Sequence, residues 1–173
     1  VANINKLMPI IKKIAGYQQP GKKALQKLIY LVEKKGVDLG FNFSIHYYGP
    51  YSSTLDDAVH SLQMQGVIDI VPDGMSHRIH VTELSDMMES TTLSQTEEQE
   101  IEDVLRTFGR MTAFDLELIT TTDFVARALR QSGKTCMDDD IIEGVRRIKG
   151  DKFSQDKMTQ AIIQLRNNGY QWN

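Results

Sequence analysis

Between Lys22 and Tyr47 the apolar residues change their period, and that change limits the fold more than any other feature of the chain. Leu25, Leu28, Ile29 and Val32 fall at i, i+3, i+4 and i+7, the stripe of one helical face, so a helix is predicted over Lys22 to Lys35. Gly36 follows as its C-terminal cap. Phe41, Phe43, Ile45 and Tyr47 then alternate with Asn42, Ser44 and His46, which predicts a strand with those four side chains on its buried face. Gly49-Pro50 is expected to stop the strand, because proline cannot donate to a ladder. A chain that switches period this way mixes helix and sheet.

The same reading extends in both directions. Ile4, Leu7, Ile11 and Ile14 form a helical stripe over Ala2 to Ala15. Pro9 within it means either a helix that starts near Met8 or a kink. Ser52 or Ser53 caps a third helix, with Leu55, Ala58, Val59 and Leu62 inward and Gly66 as its stop. Val67 to Val71 and Arg78 to Val81 read as the strands of an asymmetric hairpin, with Pro72-Asp73-Gly74 in its turn. The order is helix, helix, strand, helix, hairpin, which is that of a winged helix. Glu83 to Leu93 reads as a connector.

Beyond the connector every segment is helical. Ser94 with Glu97 matches a capping box ahead of Ile101, Val104, Leu105 and Phe108. Thr112 with Asp115 starts a helix that runs through Phe114 to Leu129 and is expected to be apolar at its centre. Asp138 to Ile148 is a short helix. Ser154 opens a last one, with Met158, Ala161, Ile162 and Leu165 inward and Gly169 as its stop. The fold class is therefore α+β and mainly α: a winged-helix-like unit over 1–84 with a short β-hairpin wing, and a C-terminal helical region over 94–173 packed on it.

Hydrophobic residues make up 40% and charged residues 25% of the 173, as in soluble globular chains. No apolar run reaches the length of a membrane span, and no stretch has the order of a signal peptide. Cys136 is the only cysteine, which rules out an intrachain disulfide and a cysteine-based zinc site and fits a reducing, cytoplasmic compartment. The net charge of −3 is uneven: +4 over Val1 to Gly66 and −7 over the remainder, with the last segment, from Arg146 on, basic again. A basic front end suits a polyanion or a solvated helical surface.

Catalytic patterns fail on inspection. Gly16 to Lys23 resembles a phosphate-binding loop, but Lys23 stands where that loop needs Ser or Thr, and a helix rather than a strand precedes it. His77 and His80 lie three apart on a strand and point to opposite faces. Asp138-Asp139-Asp140 radiate around a helix start and suit the dipole rather than one ion. No catalytic residue, metal ligand or cofactor site emerges, which points to a protein that is not an enzyme.

His46-Tyr47-Tyr48-Gly49-Pro50-Tyr51-Ser52 holds three of the six tyrosines. It reads first as a rigid joint from strand to helix and second as part of a partner-binding surface. Together with Gly21-Lys22-Lys23-Ala24-Leu25-Gln26-Lys27-Leu28-Ile29-Tyr30-Leu31 and Leu55, it resembles the YwgA-like bacterial proteins. It is more distantly similar to the Panacea, or SocA-like, domain. The second half matches more loosely, at Leu116 to Thr121 and Lys149 to Ser154. The resemblance implies an antitoxin- or adaptor-like module that binds a partner protein such as a toxin or a protease.

The partner-binding candidates are His46, Tyr48 and Tyr51 of the joint and Asp57, His60 and Gln63 of the third helix. The alternative is a transcription regulator in which Lys22, Lys23, Lys27 and Arg78 hold DNA phosphates. The third helix itself has no Lys or Arg and carries Asp56 and Asp57 at its start. A homo-oligomer is compatible with either reading.

Overall fold

The computed structural model describes residues 4–88 and 91–173. Within them the chain is α+β and mainly helical. After a 3-10 turn at Ile4–Lys6 come α1 (Leu7–Ala15) and α2 (Lys22–Lys35), a hairpin of β1 (Ser44–His46) and β2 (Gly49–Tyr51), then α3 (Ser53–Met64). A second hairpin follows, β3 (Ile68–Asp73) with β4 (Ser76–Val81), and a 3-10 helix at Glu83–Met87. Four helices complete the chain: α4 (Gln95–Phe108), α5 (Ala113–Gln131), α6 (Asp138–Lys149) and α7 (Gln155–Asn167).

Local signals set the helix starts. Ser52, Ser94, Thr112 and Ser154 each accept a backbone N–H from three residues on, and Ser94 with Glu97 closes a reciprocal capping box. Pro9 sits in the first turn of α1, where its missing N–H has no partner to lose. The stripes of α2, α3, α4 and α7 are buried as their spacing predicts. Both halves feed one apolar core, and α5 is its spine: α2, β2, α6 and α7 all pack against it.

The structure corrects the sequence reading at several places. Ile4 is 45% exposed rather than inward, because α1 begins only at Leu7 and the 3-10 turn ahead of it has a different phase. Ala2 lies outside the described residues, as does the part of the connector at 89–90. The remainder of that connector includes the 3-10 helix at Glu83–Met87.

The predicted strand is shorter, and Tyr47 is 82% exposed instead of core. β1 ends at His46, so the inward parity never reaches Tyr47. Gly49-Pro50 does not stop the sheet. It begins β2, which returns antiparallel with Ser44 opposite Tyr51, Ile45 opposite Pro50 and His46 opposite Gly49. Tyr47-Tyr48 is thus the tip of a tight hairpin, and Gly49 takes a φ of 104° that other residues rarely adopt. Pro50 is tolerated because a two-stranded ribbon consists only of edges.

The second hairpin is likewise tighter than expected. Pro72 stays in the ladder opposite His77, and Gly74-Met75 alone makes the turn. The described residues form two separate two-stranded sheets.

The centre of α5 is the largest departure. Glu117, Thr120, Thr121, Thr122 and Asp123 are all buried there, where an apolar run was expected. Thr120 and Thr122 return their hydroxyls to the carbonyls of Leu116 and Leu118, both at 2.7 Å. Asp123 accepts from Tyr30 Oη at 2.7 Å, Trp172 Nε1 at 2.8 Å and Arg127 Nε at 2.7 Å. Burial first, and the Asp123 carboxylate second, hold the Tyr30 phenol well above its ordinary pKa, so it remains a donor. Tyr170 donates to the Leu31 carbonyl at 2.8 Å. The last residues are thereby folded back onto α2 and α5.

Candidate functional site

The tip of the β1–β2 hairpin rests on α5 and α6 through lysines. Lys149, at the end of α6, donates to the Tyr47 carbonyl at 2.8 Å and pairs with Glu117 Oε2 at 3.1 Å. Lys152, in the turn after α6, reaches the same carboxylate at 2.8 Å. From the other side Lys23 of α2 lies over the ring of Tyr48, with Nζ 3.3 Å from its centroid. Tyr47 and Tyr48 meet edge to face, 4.8 Å between centroids. Gly49 lies close over this base: a Cβ there would approach Thr121 Oγ1 at 3.1 Å and Lys27 Cε at 3.6 Å. The hairpin is therefore a braced projection with aromatic side chains at its tip.

Between the hairpin and α2 lies a cleft of about 390 Å³. Lys22, Lys23, Gln26 and Lys27 form its α2 side, and His46, Tyr48 and Tyr51 its aromatic side. Gln26 fixes the chain at Ser52, donating to its carbonyl and accepting from its N–H, both at 2.9 Å. The His46 and Tyr51 rings touch, with centroids 4.7 Å apart. Burial, and then the negative charge of Asp56, raise the Tyr51 phenol above its ordinary pKa.

Lys27 differs from its neighbours. It is 3% exposed and its pKa is lowered from 10.5 to about 8. Burial is the main cause, opposed by Glu117 and assisted by Lys149, Lys23 and Lys152. The Glu117 carboxylate is taken up by Lys149 and Lys152, and Lys27 forms no ion pair among the described residues.

A second cleft, of about 550 Å³, opens on the other side of the α2 N-terminus. Lys22 and Lys23 are common to both. His77 and Arg78 of β4 and Arg110 add further basic side chains to its lining. Arg78 is held by Asp73 at 2.9 Å and also donates to the Gln19 carbonyl.

The chain matches no family model and no curated protein.

The sequence-derived candidates fall into three groups. His46, Tyr48, Tyr51, Lys22, Lys23 and Lys27 come together around the first cleft. Arg78 joins Lys22 and Lys23 at the second. Asp57, His60 and Gln63 lie exposed on α3, and His60 Nε2 is linked to Lys22 Nζ at 3.2 Å. Lys27 is buried at the cleft floor rather than displayed on the outer face of α2. Glu117, Lys149, Lys152 and Arg110 were not among the candidates. Glu117, Lys149 and Lys152 lie in the two segments, Leu116 to Thr121 and Lys149 to Ser154, that carry the looser part of the resemblance, but no spacing or periodicity marked them individually.

Proposed function

We propose that this is a non-catalytic binding module of the antitoxin or adaptor kind, which docks a partner protein on the β1–β2 hairpin and the adjoining face of α3. One observation carries the reading: Tyr47 and Tyr48 are 82% and 43% exposed at the tip of a hairpin that Lys149 holds by the Tyr47 carbonyl and Lys23 by the Tyr48 ring. Large aromatic side chains presented rigidly lose little entropy on binding, and such residues dominate interface energetics. His46, Tyr51, Asp57, His60 and Gln63 extend the surface from the hairpin onto α3. The resemblance to YwgA-like and Panacea-like proteins supports the same conclusion.

The test places a photo-crosslinking amino acid at position 47, and at Ile163 on α7 as a control that is also half exposed. The expected result is a discrete protein adduct from position 47 that the control does not give. Tyr48→Ala should weaken capture of that partner by more than about tenfold, since an aromatic anchor contributes about 2 kcal/mol or more. The same substitution should change stability by no more than about 1 kcal/mol, as befits a surface residue. Adducts identical at both positions would remove the hairpin from the interface.

A second reading, DNA binding by a winged helix, is favoured by the gathering of Lys22, Lys23, Arg78 and Arg110 along one cleft. It predicts duplex binding at low salt that weakens steeply as salt rises, because phosphate contacts release counterions. No duplex binding even at low salt would dismiss it.

A further inference from the structure

We infer that the cleft between α2 and the β1–β2 hairpin is a binding site for a phosphate monoester with a planar ring, its phosphate on Lys27, Lys23 and Lys22 and its ring against the tyrosine side. This goes beyond partner docking and stands independently of it.

The first argument is an unsatisfied group. Lys27 is buried, yet among the described residues its three ammonium protons find only the Lys23 carbonyl, at 3.5 Å, which is longer than an effective hydrogen bond. Buried ammonium groups are ordinarily paired. Among the described residues the carboxylate acting on Lys27 is Glu117, and two other lysines already hold it. Lys27 lines the cleft, so an anion entering there meets a donor that the protein itself leaves under-used.

The second argument is charge. Lys22, Lys23 and Lys27 all face the cleft from α2, the first two in its opening turn, where the helix dipole adds positive potential. Among the described residues the only acid in the lining is Asp56, which lies 3.5 Å from the His60 ring. Three cations around one pocket suit a phosphate dianion better than a single carboxylate. The third argument is size and surface. A cleft of about 390 Å³ holds more than a phosphate, and the rings of His46, Tyr48 and Tyr51 supply an apolar side for a stacked ring.

Titration calorimetry with three probes tests this: inorganic phosphate, AMP and adenosine. AMP is expected to bind, phosphate more weakly, and adenosine not measurably. At pH 8, near the Lys27 midpoint, binding should take up roughly half a proton per AMP, read from the enthalpy difference between two buffers of unlike ionisation heat. Lys27→Met should keep the native circular dichroism, weaken AMP by about tenfold or more and abolish the proton uptake. The proposal fails if wild-type protein shows no phosphate-dependent binding up to about 10 mM, which is weaker than useful metabolite affinity. It also fails if adenosine binds as well as AMP, or if Lys27→Met leaves AMP binding unchanged. Because the wild-type titrations need no partner protein, their failure would leave the docking role intact, and the reverse.

Discussion

Asp123→Ala should lower the unfolding free energy by about 3–5 kcal/mol, the range for breaking a buried charged network from one side. Asp123 has no exposed surface and accepts three hydrogen bonds from three parts of the fold: Tyr30 on α2, Arg127 on its own helix and Trp172 near the end of the chain. Alanine would leave a phenol and an indole N–H without acceptors inside the core. It would also strip the partly buried Arg127 guanidinium of its only carboxylate partner among the described residues. Each stranded donor costs about 1–3 kcal/mol. Trp172 is the sole tryptophan, so its emission reports the same site. Urea denaturation followed by Trp172 fluorescence should show the lowered midpoint, and the folded baseline should shift as the indole loses its partner. A loss below about 1 kcal/mol would mean that water or a rearranged side chain replaces the carboxylate.

The same residue shows where sequence reasoning stopped. The helices were legible because their signals are local: a hydroxyl three residues before an acceptor-seeking N–H, a stripe at helical spacing, a glycine after the last turn. α2 and the caps at Ser94, Thr112 and Ser154 follow from such signals. The hairpins were only half legible. Alternation located β1, but nothing local distinguishes a glycine-proline pair that ends a strand from one that starts the next. The difference lies in what Gly49 packs upon, namely Thr121 and Lys27 on two distant helices.

Buried polar groups were illegible for the same reason. Glu117 and Asp123 are separated from Lys152 and Tyr30 by 35 and 93 positions, and no periodicity connects them. The candidate site follows this pattern. His46, Tyr48, Lys22 and Lys23 could be selected by residue type. The floor, where Lys27 lies with Glu117 and Lys149 close by, exists only once α5 and α6 have been placed against α2.

That floor leads to the opposite kind of mutational result. Lys27→Met should stabilise the protein at neutral pH by about 1–3 kcal/mol, although it removes a charged residue from a charged cluster. Its folded pKa, about 8, lies below the ordinary lysine value of 10.5, so the folded state holds this proton less tightly than the unfolded chain does. Below about pH 8 both states are protonated, and the full penalty of burying the ammonium is present. Between about 8 and 10.5 the unfolded chain holds more protons than the folded one, so stability from this group rises with pH. Above that window both are neutral and the penalty is gone. The shift corresponds to about 3 kcal/mol, at about 1.4 kcal/mol per unit.

Methionine fills a similar volume without the charge, and Lys149 and Lys152 still neutralise Glu117. The quantity to follow is the difference between the two proteins, from urea denaturation across the alkaline range, because contributions common to both cancel in it. That difference should favour Lys27→Met at neutral pH and close as pH approaches 10.5. Glu117→Gln is the companion measurement, and it should act in the other direction, because it leaves three lysine ammonium groups without a carboxylate between them. A destabilised Lys27→Met with no pH dependence in the difference would mean that the ammonium contributes favourable contacts in the folded protein.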